Sequence, residues 1–246
     1  MDGKLWPAYI LHSRPFQEDK LLLQLLLPEQ GRIDAVIRKR QGKQYRSLQP
    51  FQLFSIALVG RGSLKNVRQL EEQHPAHQLS GKVLFSGLYI NELICRLWPT
   101  DTAAEQLFTS YEMALQSLAL AQHASEQLEP CLRQFEFSLL AELGVLPDWD
   151  YDALQQGLQA EQYYYYAPEH GFMPISQQTP YPKHAWQGRQ LWAIAAQQWH
   201  EPETLLAAKL LSRHLFAPLL GNKPLASRAL FNQLEKMNPS PASPQS

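Results

Sequence analysis

The apolar residues of this chain change their spacing once, near residues 74–81, and that change constrains the fold more than any other feature. Before it the spacing is two. In residues 31–39, Ile33, Ala35 and Ile37 fall on one side while Arg32, Asp34 and Arg38 fall on the other, the signature of a half-buried strand. Residues 6–12, 20–27, 51–59 and 64–70 read as four more short strands; in the last, Leu64, Asn66, Arg68 and Leu70 share one register. Turn signals separate them: Ser13-Arg14-Pro15, then Pro28-Glu29-Gln30-Gly31, a polar loop over 38–47, and Gly60-Arg61-Gly62-Ser63 as a tight hairpin. Five short strands that each bury one face tend to close into a small barrel.

Beyond the boundary the spacing is helical. Leu84, Leu88, Asn91, Cys95 and Trp98 lie on one stripe that Pro99 ends. A second helix over 103–121 turns Leu107, Tyr111, Ala114, Leu115 and Leu118 inward. A third, capped by Ser125 and stopped by Gly144, carries Leu132, Phe135, Leu139, Leu140 and Leu143. Residues 147–181 are acidic and tyrosine-rich and predict a loop or small hairpin. Helices follow over 186–199, 202–220 and 227–237. The expected class is α+β multidomain: a barrel over 1–79, a mostly helical domain over 80–237 with an irregular insertion near 147–181, and a Pro/Ser-rich disordered tail over 238–246.

Charge is distributed unevenly. The formal net charge is -1, yet residues 31–70 hold nine Lys and Arg against the single acid Asp34. Residues 81–200 hold five Lys and Arg against thirteen Asp and Glu. This asymmetry predicts a cationic binding face on the barrel and a solvated acidic surface elsewhere. The apolar run over 21–27 is far shorter than the ~20 residues that span a bilayer, and the first eight residues carry no signal-peptide pattern, so the expectation is a cytoplasmic protein. Cys95 and Cys131 each sit in an apolar helical stretch and read as buried thiols rather than a disulfide.

The catalytic signatures of common enzymes are missing. The sequence has no phosphate-cradling G-x-x-x-x-G-K-[ST], no dinucleotide G-x-G-x-x-G after a strand and no G-x-S-x-G elbow. His74 and His77 are spaced for a metal on a helix but flank Pro75 in a linker, and read as exposed polar residues. The sequence therefore predicts no enzyme and no cofactor. A basic small barrel suits nucleic acid, since cations follow phosphates and rings stack on bases. The DNA-binding candidates are Arg14, Arg32, Arg38, Lys39, Arg40, Lys43, Arg46, Arg61, Lys65 and Arg68, with Tyr45 as the stacking ring. Phe16, Phe51 and Phe54 are further rings nearby, the last two better read as core. Tyr163 to Tyr166 predict a strand with rings alternately in and out.

Several segments together resemble one family. Ile10-Leu11-His12-Ser13-Arg14-Pro15, the apolar strand over 21–27 and Glu29-Gln30-Gly31-Arg32-Ile33 resemble the start of the bacterial recombination and repair mediators of the RecO family. So do Leu48-Gln49-Pro50-Phe51, Gly60-Arg61-Gly62-Ser63-Leu64, Ser86-Gly87-Leu88-Tyr89-Ile90-Asn91-Glu92-Leu93, Leu132-Arg133-Gln134-Phe135-Glu136 and residues 221–228, in order along nearly the whole chain. The shorter, enterobacterial-like members are the nearest type. The resemblance implies an oligonucleotide-binding (OB) barrel, binding of single- and double-stranded DNA, strand annealing, and work with RecR and single-stranded DNA-binding protein to load the recombinase RecA. It also implies that the helical domain takes the acidic, Phe-terminated tail of the single-stranded DNA-binding protein, with Arg133, Leu132 and Phe135 as candidates and Lys209 and Arg213 next. Arg133 reads equally as a surface arginine paired with Glu129 or Glu136. Many members carry four zinc-binding cysteines in the region of 147–181; this chain has none there, so no zinc is expected. Two other readings stay open, an adaptor whose helical domain docks repair proteins and a metal-dependent nuclease on a barrel scaffold. The nuclease would need carboxylates clustered near the basic face.

Overall fold

A computed structural model describes residues 4–38, 48–176 and 182–237. The first five elements are strands: β1 (Trp6–Phe16), β2 (Lys20–Leu27), β3 (Gly31–Arg38), β4 (Leu53–Val59) and β5 (Leu64–Glu72). They form a closed barrel in the order β1-β2-β3-β5-β4, with β3 and β5 parallel and the other pairs antiparallel. Alternation builds its core. Ile10, Leu23, Leu25, Ile33, Ile37, Phe54 and Ile56 point inward and are at most 4% exposed.

β1 is longer than its apolar stretch suggests, running on through Ser13-Arg14-Pro15 to Phe16. Its first residues pair with β4 and the rest with β2, so one strand closes the barrel. The register shifts between Ile10 and His12, leaving Leu11 as the extra residue of a bulge. The Leu11 carbonyl accepts a hydrogen bond from Asn91 Nδ2 at 2.9 Å, and the Tyr111 hydroxyl donates to Asn91 Oδ1 at 2.7 Å. A second shift, between Ala57 and Leu58, makes Arg68 the extra residue of β5. The expected single register of Leu64, Asn66, Arg68 and Leu70 is therefore broken. Val67 and Leu70 pack on the core, while Leu64 is exposed.

Three helices complete this part of the chain: α1 (Gly81–Leu97), α2 (Glu105–Ala121) and α6 (Ala226–Met237). The β2–β3 turn is tied to the α1–α2 connection, with Ala104 N donating to Pro28 O at 2.7 Å and Asp101 N to Arg32 O at 3.1 Å. Gly31 sits at that junction with φ +67; a Cβ there would lie 1.7 Å from the Thr102 carbonyl oxygen. Phe51 and Phe54 are both buried, Phe54 in the barrel core and Phe51, just before β4, outside it. The Phe51 ring occupies the space that a side chain on Gly87 would need. α6 starts on α1. Glu92 accepts from the amides of Ala226 and Ser227, both at 2.9 Å, and from the Ser227 hydroxyl at 2.7 Å. Burial alone would raise the Glu92 carboxyl, but these hydrogen bonds and Arg96 outweigh it and hold the group below its ordinary value.

The chain forms two compact units, one reaching Ser125 and resuming at Asn222, the other covering Glu126–Gly221. The first unit thus extends well past the strand-to-helix transition at Gly81. The second holds α3 (Leu128–Glu142), β6 (Tyr163–Ala167), β7 (Gly171–Pro174), β8 (Trp186–Gln187), α4 (Gly188–Ala195) and α5 (Pro202–Leu220). Ser125 opens a 3-10 turn rather than capping α3 directly. The tyrosine run is a strand in a three-stranded sheet, order β7-β6-β8, with Tyr164 buried and Tyr163 exposed. The helix expected over 186–199 is shorter and starts later. Trp186 and Gln187 pair with Tyr164 and Tyr163 as a strand, and the buried Trp186 indole donates to Ala207 O at 3.1 Å.

Candidate nucleic-acid interface

Strand partners share a sheet face, so the barrel register shows which side chains stand together on its outside. Leu21, Leu23 and Ile37 point into the core, so Lys20, Leu22 and Arg38 point out. Phe16 pairs with Lys20, and Lys20 with Arg38, making one outer row across β1, β2 and β3. The next row is Arg14, Leu22, Val36 and Asn66. Arg14, Lys20 and Arg38 therefore form a cationic corner beside the β1–β2 turn. The Arg38 side chain is 75% exposed, and its Nε lies 2.8 Å from Asp19 Oδ2 in that turn.

Among the other basic candidates, Arg61 is exposed at the β4–β5 hairpin, Arg68 is exposed at the β5 bulge, and Lys65 is half-buried opposite Ala35. Arg32 is placed differently from the expectation. Its side chain is only 15% exposed; Nε donates to Trp98 O at 3.1 Å, and Nη1 lies 3.7 Å from Asp34. That guanidinium ties the barrel to the end of α1, so phosphate contact falls to its exposed neighbours. Lys39, Arg40, Lys43, Tyr45 and Arg46 lie outside the described residues. Sequence alone does not single out Lys20. It opens an apolar run, and only cross-strand pairing puts it between Phe16 and Arg38.

In the second unit, the candidates for peptide binding separate by burial. Arg133 and Phe135 are 3% and 1% exposed, and Leu132 is half-buried. Arg133 Nη2 donates to Glu136 Oε1 at 2.8 Å inside the protein, with Glu129 at 3.9 Å. Arg133 is thus neither a surface arginine nor open to a peptide as placed. Lys209 on α5 donates to Glu129 at 2.8 Å, and Arg213 is exposed one turn further on. Glu129 therefore brings Arg133 and Lys209 together.

A zinc site does not fit the residues present. Cys95 on α1 and Cys131 on α3 form no disulfide, and burial pushes both thiols up to about 12. Among the described residues no group of three or more His, Cys, Asp or Glu could hold a metal ion. No helix among them is long and apolar enough to cross a membrane.

A closed five-stranded barrel of this strand order, with helices following, defines an OB-like fold. Two family models match the chain, Recombination protein O N terminal over residues 1–75 and Recombination protein O C terminal over residues 78–229. The chain is 42% identical over 230 residues to the DNA repair protein RecO of Stutzerimonas stutzeri, covering 94% of each chain. It is 41% identical over 231 residues to the DNA repair protein RecO of Cellvibrio japonicus, covering 92% of this chain and 96% of that one. The chain belongs to the RecO family of DNA repair proteins.

Proposed function

We propose that this protein is a non-catalytic recombination mediator. It binds single- and double-stranded DNA on the barrel, anneals complementary strands, and acts with RecR and single-stranded DNA-binding protein to load RecA at gaps. The observation that carries the reading is the cationic outer corner of Arg14, Lys20 and Arg38 on a closed OB-type barrel. Arg61 and Arg68, exposed on β5 and its hairpin, extend the positive surface. Replacing Arg38, Lys39 and Arg40 together by Ala should weaken binding for every sequence. It should also flatten the slope of log affinity against log salt by roughly two to three units. An unchanged slope would refute the assignment.

Annealing should run equally with and without ATP. A protein-dependent ATPase above background would overturn the non-catalytic reading. For the acidic tail of single-stranded DNA-binding protein, the exposed Arg213 and the half-buried Lys209, paired with Glu129, support docking on α5 better than the buried Arg133 does. Calorimetry with the tail peptide tests this. Lys209→Ala with Arg213→Ala should lower affinity by on the order of 1–3 kcal/mol while DNA binding by the barrel stays unchanged.

A further inference from the structure

Within the cationic corner, one row of the barrel combines features that phosphate binding alone does not need. Phe16, Lys20 and Arg38 are successive cross-strand partners on the outer face. Neighbouring strands lie about 4.8 Å apart, so the row spans roughly 10 Å. Phe16 lies outside the barrel core, is half-buried, pairs with Lys20 and immediately precedes the hairpin turn. The turn itself, Gln17-Glu18-Asp19, carries two exposed acids immediately beside the cations. One of them, Asp19, already holds Arg38 in an ion pair whose side chains are 51% and 75% exposed. An ion pair so open to water is weak and easily exchanged, and a phosphate oxygen offers Arg38 the same chemistry as the Asp19 carboxylate.

We infer that this row is a base-stacking subsite for single-stranded nucleic acid. Phe16 provides the ring, Lys20 and Arg38 take the flanking phosphates, and Asp19 occupies Arg38 until a phosphate displaces it. The inference rests on the DNA-binding reading above and adds to it a physical reason for strand preference. An unpaired base offers its face to Phe16, whereas duplex bases hide theirs in the stack. Asp19 then acts as an internal competitor that weakens every phosphate strand alike.

The test is fluorescence anisotropy at fixed salt with three probes: an oligothymidine, an abasic strand of the same length, and a blunt duplex. The full chain is compared with Phe16→Leu, Phe16→Tyr and Asp19→Asn, each checked for an unchanged thermal melt. Phe16→Leu should weaken oligothymidine binding about fivefold or more, leave the other two probes within about twofold, and be rescued by Phe16→Tyr. Asp19→Asn should tighten all three probes by about twofold to fivefold. Equal losses on the abasic and base-bearing strands, or no tightening with Asp19→Asn, would overturn the subsite while leaving DNA binding intact. If the parent protein binds none of the three in a salt-dependent way, the DNA-binding reading itself falls.

Discussion

Removing the Arg133 guanidinium should destabilise the second unit rather than merely weaken a docking contact. The Arg133 and Glu136 side chains are 4% and 3% exposed and meet at 2.8 Å, so neither charge is solvated by bulk water. Their mutual attraction offsets two desolvation penalties. Arg133→Ala leaves the Glu136 carboxylate buried without that partner, a loss of about 3–5 kcal/mol. Arg133→Leu combined with Glu136→Leu removes both charges, fills similar volume, and should fall near the parent or up to about 4 kcal/mol above it. Denaturant unfolding followed by tryptophan fluorescence reads the difference, because Trp149, Trp186, Trp192 and Trp199 all lie in the second unit. In a chain of two compact units, unfolding need not be a single transition, so the midpoint of the transition that Arg133→Ala shifts is the quantity to compare. A single Arg133→Ala variant within about 0.5 kcal/mol of the parent, the range of an ordinary surface change, would refute the buried-pair argument. So would a double variant as unstable as the single one.

Other expected outcomes follow from the first unit. Glu92→Gln should lower stability by about 1.5–3 kcal/mol, the worth of hydrogen bonds to a charged group, and speed amide exchange in α6 while leaving the inner barrel strands protected. Because Glu92 is held below its ordinary value of 4.5, its contribution is fully present above that pH and is lost as pH falls through the depressed value. An α6 equally protected at pH 7 and in acid would contradict this. Asn91→Ala leaves the Leu11 carbonyl and the Tyr111 hydroxyl without their partner inside the protein and should cost about 2–3 kcal/mol in thermal or denaturant unfolding. Gly31→Ala forces a Cβ onto the Thr102 carbonyl at positive φ. It should cost on the order of 3 kcal/mol or more and lower the barrel's melting temperature; a wild-type melt would show that the β2–β3 turn can move.

Local chemistry alone determined much of this protein. The two-residue alternation of Ile33, Ala35 and Ile37, the glycine turn at 60–63 and the helical stripe of α2 appear where their spacing puts them, whereas α1 buries Val83, Gly87, Ile90 and Ile94 and leaves the expected Leu84, Leu88 and Cys95 half-buried. Those that appear are legible because each depends on side chains within one or two turns or strands of one another. The cationic bias of residues 31–70 was equally visible, since net charge needs no fold. What each charge does was not visible. Arg32 and Arg38 lie on the same face of β3, yet one is sewn to Trp98 just after α1 and the other faces water beside Asp19. Lys20 and Phe16 join that corner only through strand pairing, and Leu11 needs Asn91 only because β1 bulges. Helical spacing put Arg133 beside an apolar stripe, but tertiary packing buried the arginine with Glu136, and α5, some seventy residues later, brought Lys209 to Glu129. Such outcomes depend on contacts between residues far apart in the chain. Their energies arise only when the ends of long loops are brought together, and no local pattern records which partner arrives.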